Sequence, residues 1–489
     1  MSALSTAAAP ATPIVQYPRR VFDGWGYTSR SVSMFTKPTT VDEVRSALIH
    51  AGAEGYTVAL RGAGRSYGDA AMNGGNLVVD LTSMRRVLAW DPATGIIDVE
   101  PGVTIEDLWR LCLKDGWWPA VVPGTMFPTI GGCAAMNIHG KNQFAMGGTG
   151  DQILDADLLT PAGELLRISR TENADFFHAA ISGFGMLGTL TRIRLKLKHV
   201  ESGRVSVEQA CVRDLGEQLD YFEQHKGDSD YLVSWVDCIA GGSGLGRGQV
   251  HRAKYLHADE DPDGEALLEP SRQDLPATVM GVPRALVGAI LGLFNFDLGM
   301  RVVNTTKYYS SLVSPTTPYK QPHVAFHFLL DYVTMRAAYQ PGGFIQYQPF
   351  VPKEAAKQVF TDILKLNQSR GIVSYLGVIK RYRPDSFLLS HALDGYSIAL
   401  DYPVTASNRQ ALWQMCYEMN EIVLAAGGKF YPAKDSVLRP QDFSRSFGQE
   451  RLATFRALRH RADPGRVLRT EWAARVGVDE ATETPMTAR

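Results

Sequence analysis

Three glycine-rich segments constrain this chain more than anything else in it: RGAGRSYGDAAMNGG (61–75), PGTMFPTIGGCAAMNIHGKN (123–142) and SGFGMLGTLTRIRLKL (182–197). Closely spaced glycines let successive backbone N–H groups turn into one concavity, a nest for phosphate oxygens. One such loop alone is as readily a surface turn, and the first matches neither G-x-G-x-x-G nor the Walker pattern. Three at these intervals imply a long, flat, phosphate-bearing ligand laid across several loops, as a dinucleotide would be.

Bulk properties narrow the setting. At 489 residues the chain exceeds one ordinary core, so two domains are expected. A formal net charge of −1 gives no electrostatic case for nucleic acid or an anionic surface. The five cysteines, Cys112, Cys133, Cys211, Cys238 and Cys416, never fall in C-x-x-C spacing. That argues against a disulfide framework or a metal site and suits a reducing compartment, so a cytoplasmic protein is expected. The first twenty residues lack a secretory signal's apolar run and read as a disordered lead-in. The most apolar stretch, ALVGAILGLFNF (285–296), is shorter than the ~20 residues a membrane span needs. It is either a buried helix or an exposed apolar patch.

Helix and strand signals alternate along the N-terminal part. Thr40 to Glu43 is a capping box opening a helix, residues 57–60 read as a strand running into the first glycine loop, and residues 76–81 as another strand. A hairpin is expected around Asp91-Pro92-Ala93-Thr94, and Thr104 opens a second helix that stops at Gly116. Residues 256–285 are charged and read as a mobile loop. Residues 344–428 read as β-α-β-β-α, and 429–431 as a last strand returning to the first domain in a split β-α-β arrangement.

The three clusters resemble the FAD-binding domain of the vanillyl-alcohol-oxidase superfamily. RGAGRSYGD, NGGNLVVDL, VVPGT, IGGCAAMNIHGKN and YPAKDS together resemble the decaprenylphosphoryl-β-D-ribose 2′-oxidase family, from about Gly24 to DPGRVLRTEWAARV and most loosely over 201–340. The resemblance implies an α+β fold. A PCMH-type FAD-binding domain (15–199, completed by the tail 429–489) would surround an inserted α+β substrate domain (200–428) with an antiparallel sheet and a mobile loop at about 256–300. It also implies oxidation of the ribose 2′-hydroxyl of a polyprenyl-phosphoryl ribose to the 2′-keto compound. A separate NAD(P)H-dependent short-chain reductase would then complete epimerisation to the arabinose form.

The same resemblance assigns residues. Arg61, Gly62, Ala63, Gly64, Arg65, Ser66, Tyr67, Gly68 and Asp69, with Gly124, Thr125 and Thr129, would hold the pyrophosphate. Gly132, Asn137, His139, Gly140, Asn142, Gly183, Gly188 and Tyr431 would complete the cofactor site. Related sugar oxidases carry a flavin-linked histidine where this chain has Arg65, and arginine cannot form that bond, so the FAD is expected to be non-covalent. Lys434, His139, Lys141 and Tyr67 are the expected catalytic residues, Lys434 as a fixed positive charge beside the flavin. Lys141, Gln346, Gln348, Lys380, Ser397 and Lys434 are expected against the substrate; the two glutamines alternate along one strand and so share a face.

Two departures matter. Ala399 stands where many family members have cysteine, which removes a thiol that hydride transfer does not need, and Ser397 replaces a common asparagine. Exact lipid and sugar therefore stay open. The competing readings are an FAD-dependent oxidase of a soluble alditol, aldonolactone or 2-hydroxy acid, and a non-catalytic protein that binds flavin or lipid. The apolar stretch 285–296 would suit peripheral contact with a membrane that carries a prenyl substrate.

Overall fold

The computed structural model of the protein describes residues 17–279, 281–313, 317–333 and 335–479. Most of the lead-in expected at 1–20 lies outside them. The Thr40 side chain accepts from the Glu43 N–H and starts the helix Val41–Ala53, which buries Val44, Ala47, Leu48 and Ala51 at helical spacing. The helix leads into a four-stranded sheet ordered Arg19–Asp23, Arg30–Thr36, Leu77–Asp80, Val58–Arg61, whose last two strands are parallel. Beside it stands a five-stranded antiparallel sheet ordered Val87–Asp91, Ile96–Val99, Thr189–Lys196, Ile153–Leu159, Leu165–Ser169. The first glycine segment leaves the end of Val58–Arg61, and the third runs into Thr189–Lys196. Both therefore open toward the same region.

The end of the chain closes this region. Val58 donates to the carbonyl of Val467 (2.7 Å), Arg469 donates back to Val58 (2.8 Å), and Tyr67 donates to Ala433 (2.9 Å). Arg475 bridges Asp69 and Asp435, at 2.7 and 3.0 Å. Gly68 lies so close to this segment that a Cβ there would stand 2.2 Å from the carbonyl oxygen of Asp435. The YPAKDS segment is thus held against the first glycine loop by backbone contact as well as charge.

A nine-stranded sheet makes up the rest, all of its pairings antiparallel. Eight strands follow the order Tyr319–Pro322, Arg204–Val212, Gly248–Tyr255, Tyr231–Val236, Leu376–Tyr382, Gly395–Pro403, Pro349–Pro352, Lys429–Phe430, and Phe344–Tyr347 pairs with Gly395–Pro403. Within it the same topology occurs twice. Strand Arg204–Val212, helix Leu215–His225, strands Tyr231–Val236 and Gly248–Tyr255, helix Asp297–Leu312 and strand Tyr319–Pro322 form one β-α-β-β-α-β unit. Pro349–Pro352, Lys353–Arg370, Leu376–Tyr382, Gly395–Pro403, Arg409–Ala425 and Lys429–Phe430 form the other. In each unit the strands lie in the order fourth, first, third, second, and the units join through their second strands, Ser234 opposite Ile379. The split β-α-β arrangement expected near the C-terminus is therefore present in both halves. One detail is corrected: Lys429–Phe430 pairs with Pro349 and Phe350 inside this sheet, so it ends the second unit instead of joining the N-terminal sheets.

The units differ in one connection. Residues 404–408 link the third strand to the second helix in the second unit, whereas the first unit spends 256–296 on the same step. Asp261 anchors the start of that long segment, accepting from Ser202 (2.6 Å), Arg204 (2.8 Å) and Lys320 (3.1 Å), and buried Gln273 donates to the carbonyls of Gly203 and Leu267, both at 2.7 Å. Beyond it, helix Arg284–Gly292 buries Val287 and Gly288 but exposes Leu286 and Ile290. Leu293, Phe294, Phe296, Leu298 and Val302 continue the exposed apolar surface, Leu293 at 73%. The apolar stretch is not a buried helix.

Candidate active site

A cavity of about 480 Å³ lies where the glycine loops meet the front of the nine-stranded sheet. Alternate residues of the strands face it, Leu376, Val378 and Lys380 from one and Val233 and Trp235 from another, while their neighbours Ile379, Leu232 and Val236 pack into the core. All charged side chains that line it among the described residues are basic: Arg61, Arg65, Lys141, Lys307, Lys380 and Lys434. A cavity without a carboxylate on its wall selects anions.

At one end, the Lys434 ammonium stands 3.7 Å over the ring of buried Tyr67. Behind it, the buried carboxylate of Asp401 accepts from Gln346 at 2.6 Å. Burial drives Lys434 below its ordinary pKa, Asp401 opposes that shift and Lys380 adds to it. Asp401 is pushed up by burial, against the hydrogen bond from Gln346 and the charge of Lys434. Each group therefore favours the ionised form of the other.

His139 sits in the floor among Tyr431, Tyr382 and His391. Its Nε2 lies 3.3 Å from the Gln348 amide nitrogen and its Nδ1 3.0 Å from the Tyr382 hydroxyl. An amide N–H can only donate, so the neutral ring accepts at Nε2 and donates from Nδ1. Gln348 also donates to Ser397 (3.2 Å), which donates to Tyr382 (3.1 Å), closing a ring of polar groups. Burial, then Lys380, His391 and Lys434, press the His139 pKa well below its ordinary value. A neutral imidazole with both nitrogens engaged positions Gln348; it does not take up protons near neutral pH.

The lysines are the groups tuned to that range. Burial lowers Lys380 to about 8. Burial, and then Lys380, lower Lys141 to about 7. Lys141 donates to the carbonyl of Phe326 and lies 4.0 Å over its ring. Arg65 is held between Trp25 (4.2 Å) and Phe127 (4.9 Å).

Of the residues expected at the site, Arg61 to Tyr67, Gly124, Thr125, Thr129, Gly132, His139, Lys141, Gly188, Gln346, Gln348, Lys380, Tyr431 and Lys434 line the cavity, as does Ala399. Others stand behind it. Asp69 is taken up by Arg475, and Gly68 by the approach of Asp435. Asn137 donates to Asp385 (2.8 Å) and accepts from the Gly150 N–H (2.9 Å), and Asn142 donates to Ala120 (2.7 Å). Gly140 and Gly183 abut the backbone carbonyls of Val122 and Ala179. Ser397 is completely buried behind Gln348. These residues shape the loops and are not among those that line the cavity. Sequence reasoning missed Asp401, Asp331, which accepts from Thr125 and the Met126 N–H (both 2.7 Å), and the wall formed by Trp235, His251, Lys307 and Phe326.

FAD fits the cavity. Two buried donors that face it, Arg65 Nε and Thr189 Oγ1, have no partner within the protein, and the basic lining suits a pyrophosphate. Comparison with known proteins agrees: residues 32–169 match the family described as FAD binding domain. The chain is 29% identical to decaprenylphosphoryl-β-D-ribose oxidase of Mycolicibacterium smegmatis, over 93% of its own length and 96% of the relative's. It is 26% identical to an uncharacterised protein of Streptomyces coelicolor over 77% of its length and 100% of that protein, and 29% identical to L-gulonolactone oxidase of Mus musculus over 43% and 47%. The protein is an FAD-dependent oxidoreductase acting on a CH–OH group. Within that class its resemblance to the decaprenylphosphoryl-ribose oxidase family runs along nearly the whole chain, glycine loops and nine-stranded sheet alike.

Proposed function

We propose that this protein oxidises the 2′-hydroxyl of a polyprenyl-phosphoryl ribose to the ketone, the first half of an epimerisation to the arabinose form. The observation that carries the reading is the exclusively basic set of charges around a cavity whose outer rim adjoins exposed apolar surface. A substrate with a sugar, a phosphate and a hydrocarbon tail matches that sequence of environments.

When bound, FAD supplies the acceptor for the hydride leaving the carbinol carbon, and Arg65 in place of a linking histidine implies non-covalent attachment. Lys434, fixed over Tyr67 and balanced by Asp401, provides positive charge where negative charge develops. Lys380, with a pKa of about 8, can hold or release the hydroxyl proton near neutral pH. Gln346 and Gln348 orient the sugar, Gln348 fixed by neutral His139. In this reading the N-terminal sheets and the C-terminal tail form a PCMH-type flavin domain around the substrate domain, and a short-chain reductase consumes the ketone.

No helix among the described residues is long and apolar enough to cross a membrane. The exposed face of 286–302 is proposed to rest on one and meet the lipid substrate there. The test is an anaerobic stopped-flow trace of flavin absorbance with farnesyl-phosphoryl ribose. Rapid bleaching, absent with free ribose, alditols and aldonolactones, supports the reading. Bleaching by a free lactone or alditol alone overturns it in favour of a soluble-sugar oxidase.

A further inference from the structure

Helix Asp297–Leu312 presents two chemically distinct sides at the mouth of the cavity. Leu298, Val302, Tyr309 and Leu312 are exposed, whereas Met300 packs with Tyr67 and Phe344, and Asn304 donates to Asp237 at 3.2 Å. Lys307 leaves this helix toward the cavity and places its ammonium 4.2 Å from the ring centre of Trp235. Among the described residues neither a carboxylate nor a carbonyl pairs with that ammonium. Cross-strand from Val233 stands His251, close enough to both Lys307 and Lys141 that each cation depresses its titration, after burial, to about 3. A neutral ring there supplies one N–H donor and no charge.

The four cavity lysines therefore form a graded series. Lys434 and Lys380 stand around His139, Lys380 is felt by Lys141, and Lys141 and Lys307 flank His251 at the outer end. The inner pair serves the reacting carbon in the function proposed above. An outer pair of cations, with a neutral donor between them and apolar surface beyond, has no role in hydride transfer.

We propose that Lys307, Lys141 and His251 form a phosphate subsite for a prenyl phosphate, with the hydrocarbon chain leaving the cavity past Lys307. The ligand class is an apolar chain ending in a phosphoester, held by charge-assisted hydrogen bonds at the head and by apolar surface along the tail. This rests on the prenyl-phosphoryl sugar reading for its biological sense, yet it concerns a part of the ligand that carries no sugar, so it can fail or stand separately.

The experiment is calorimetric titration of the FAD-loaded protein with farnesyl phosphate, farnesol and inorganic phosphate, for wild type, Lys307→Gln and Lys307→Arg. Farnesyl phosphate should bind wild type at least about tenfold more tightly than either fragment, as joined head and tail contacts require. Lys307→Gln should weaken farnesyl phosphate by about tenfold, Lys307→Arg should recover most of the loss, and farnesol should be indifferent to both. Equal affinity of Lys307→Gln and wild type for farnesyl phosphate overturns the subsite. So does inorganic phosphate binding wild type as tightly as farnesyl phosphate, which assigns the site to free phosphate. An unchanged flavin spectrum in both variants confirms that the folded protein is being compared. Lys307-dependent binding without oxidation of any prenyl-phosphoryl ribose would retain this subsite and discard the sugar chemistry.

Discussion

The two β-α-β-β-α-β units of the large sheet share a topology and a seam, but they meet the cavity with different chemistry. The second unit contributes Lys380, flanked by the Gln346–Asp401 pair and the His139–Gln348–Ser397 ring, all locked by hydrogen bonds. The first contributes Trp235, His251 and Lys307, with Lys307 on a helix whose far side is apolar and exposed. No residue of helix Arg409–Ala425, its counterpart in the second unit, lines the cavity; that helix packs on Lys353–Arg370. The 256–296 connection accompanies this difference, where the second unit makes do with 404–408. A duplicated frame has thus kept its pairing rules while one half lines the cavity through a hydrogen-bonded network and the other through a cation on a helix with an exposed apolar side.

If that division is right, the largest effects belong to the second unit and its neighbour Lys434. Lys380→Met and Lys434→Ala should each lower the rate of flavin reduction at saturating substrate by about 10²–10³-fold, with FAD retained. Lys307→Gln should leave that saturated rate within about threefold of wild type and act on KM instead. A Lys307→Gln rate as low as that of Lys380→Met would erase the distinction between the halves.

The next effect lies on the exposed surface. Each large apolar side chain moved out of water contributes about 1.5–3 kcal/mol. Leu293→Asp with Phe296→Asp should therefore weaken binding to anionic vesicles by at least about tenfold in a co-sedimentation assay, leaving oxidation of a short, soluble substrate unchanged. Undiminished vesicle binding would detach the long connection from any lipid role.

A smaller effect tests the electrostatic lock. Lys434 is depressed by burial and partly restored by Asp401, so its proton is lost as pH rises through a value below the ordinary lysine range, and flavin reduction should fall with it. Asp401→Asn removes the opposing charge and keeps a partner for Gln346. The falling limb of the pH–rate profile should move to lower pH by about one unit, a factor of about ten on that limb. A limb that stays where it is would show that Asp401 does not hold Lys434 charged.

The same contrast explains what the sequence could show. The first glycine loop, both N-terminal helix caps, the hairpin at Asp91 to Thr94 and the second unit's helices follow local rules, and the structure has them where spacing placed them. The lysines and glutamines of IHGKN, IQYQ, VIKRY and YPAKDS were legible through motif and alternation. Asp401 was not: it is one charge in an apolar strand, meaningful only once Gln346 lies opposite it in register. Nor was Lys307, whose partners Trp235 and His251 come from strands far away in the chain and meet it only in three dimensions. The first unit's duplication was hidden by its long connection, which breaks the rhythm that made the second unit readable.

The smallest expected effect isolates that local legibility. Helix Lys353–Arg370 ends on Gly371 at φ +65°, whose N–H and the following one donate to Gln368 (3.2 Å) and Asn367 (3.0 Å). A Cβ at Gly371 would meet nothing within 4 Å, so substitution there costs backbone strain alone. Gly371→Ala should destabilise by about 1 kcal/mol in denaturant unfolding, and Gly371→Asn by less, because asparagine visits the left-handed region more readily. The equivalent helix of the first unit, Leu215–His225, ends on Lys226 at φ −64° with no left-handed cap. Lys226→Ala should therefore stay within about 0.5 kcal/mol of wild type. Equal losses at the two positions would mean that the units' helix ends are held by packing, and that the left-handed cap at Gly371 is incidental.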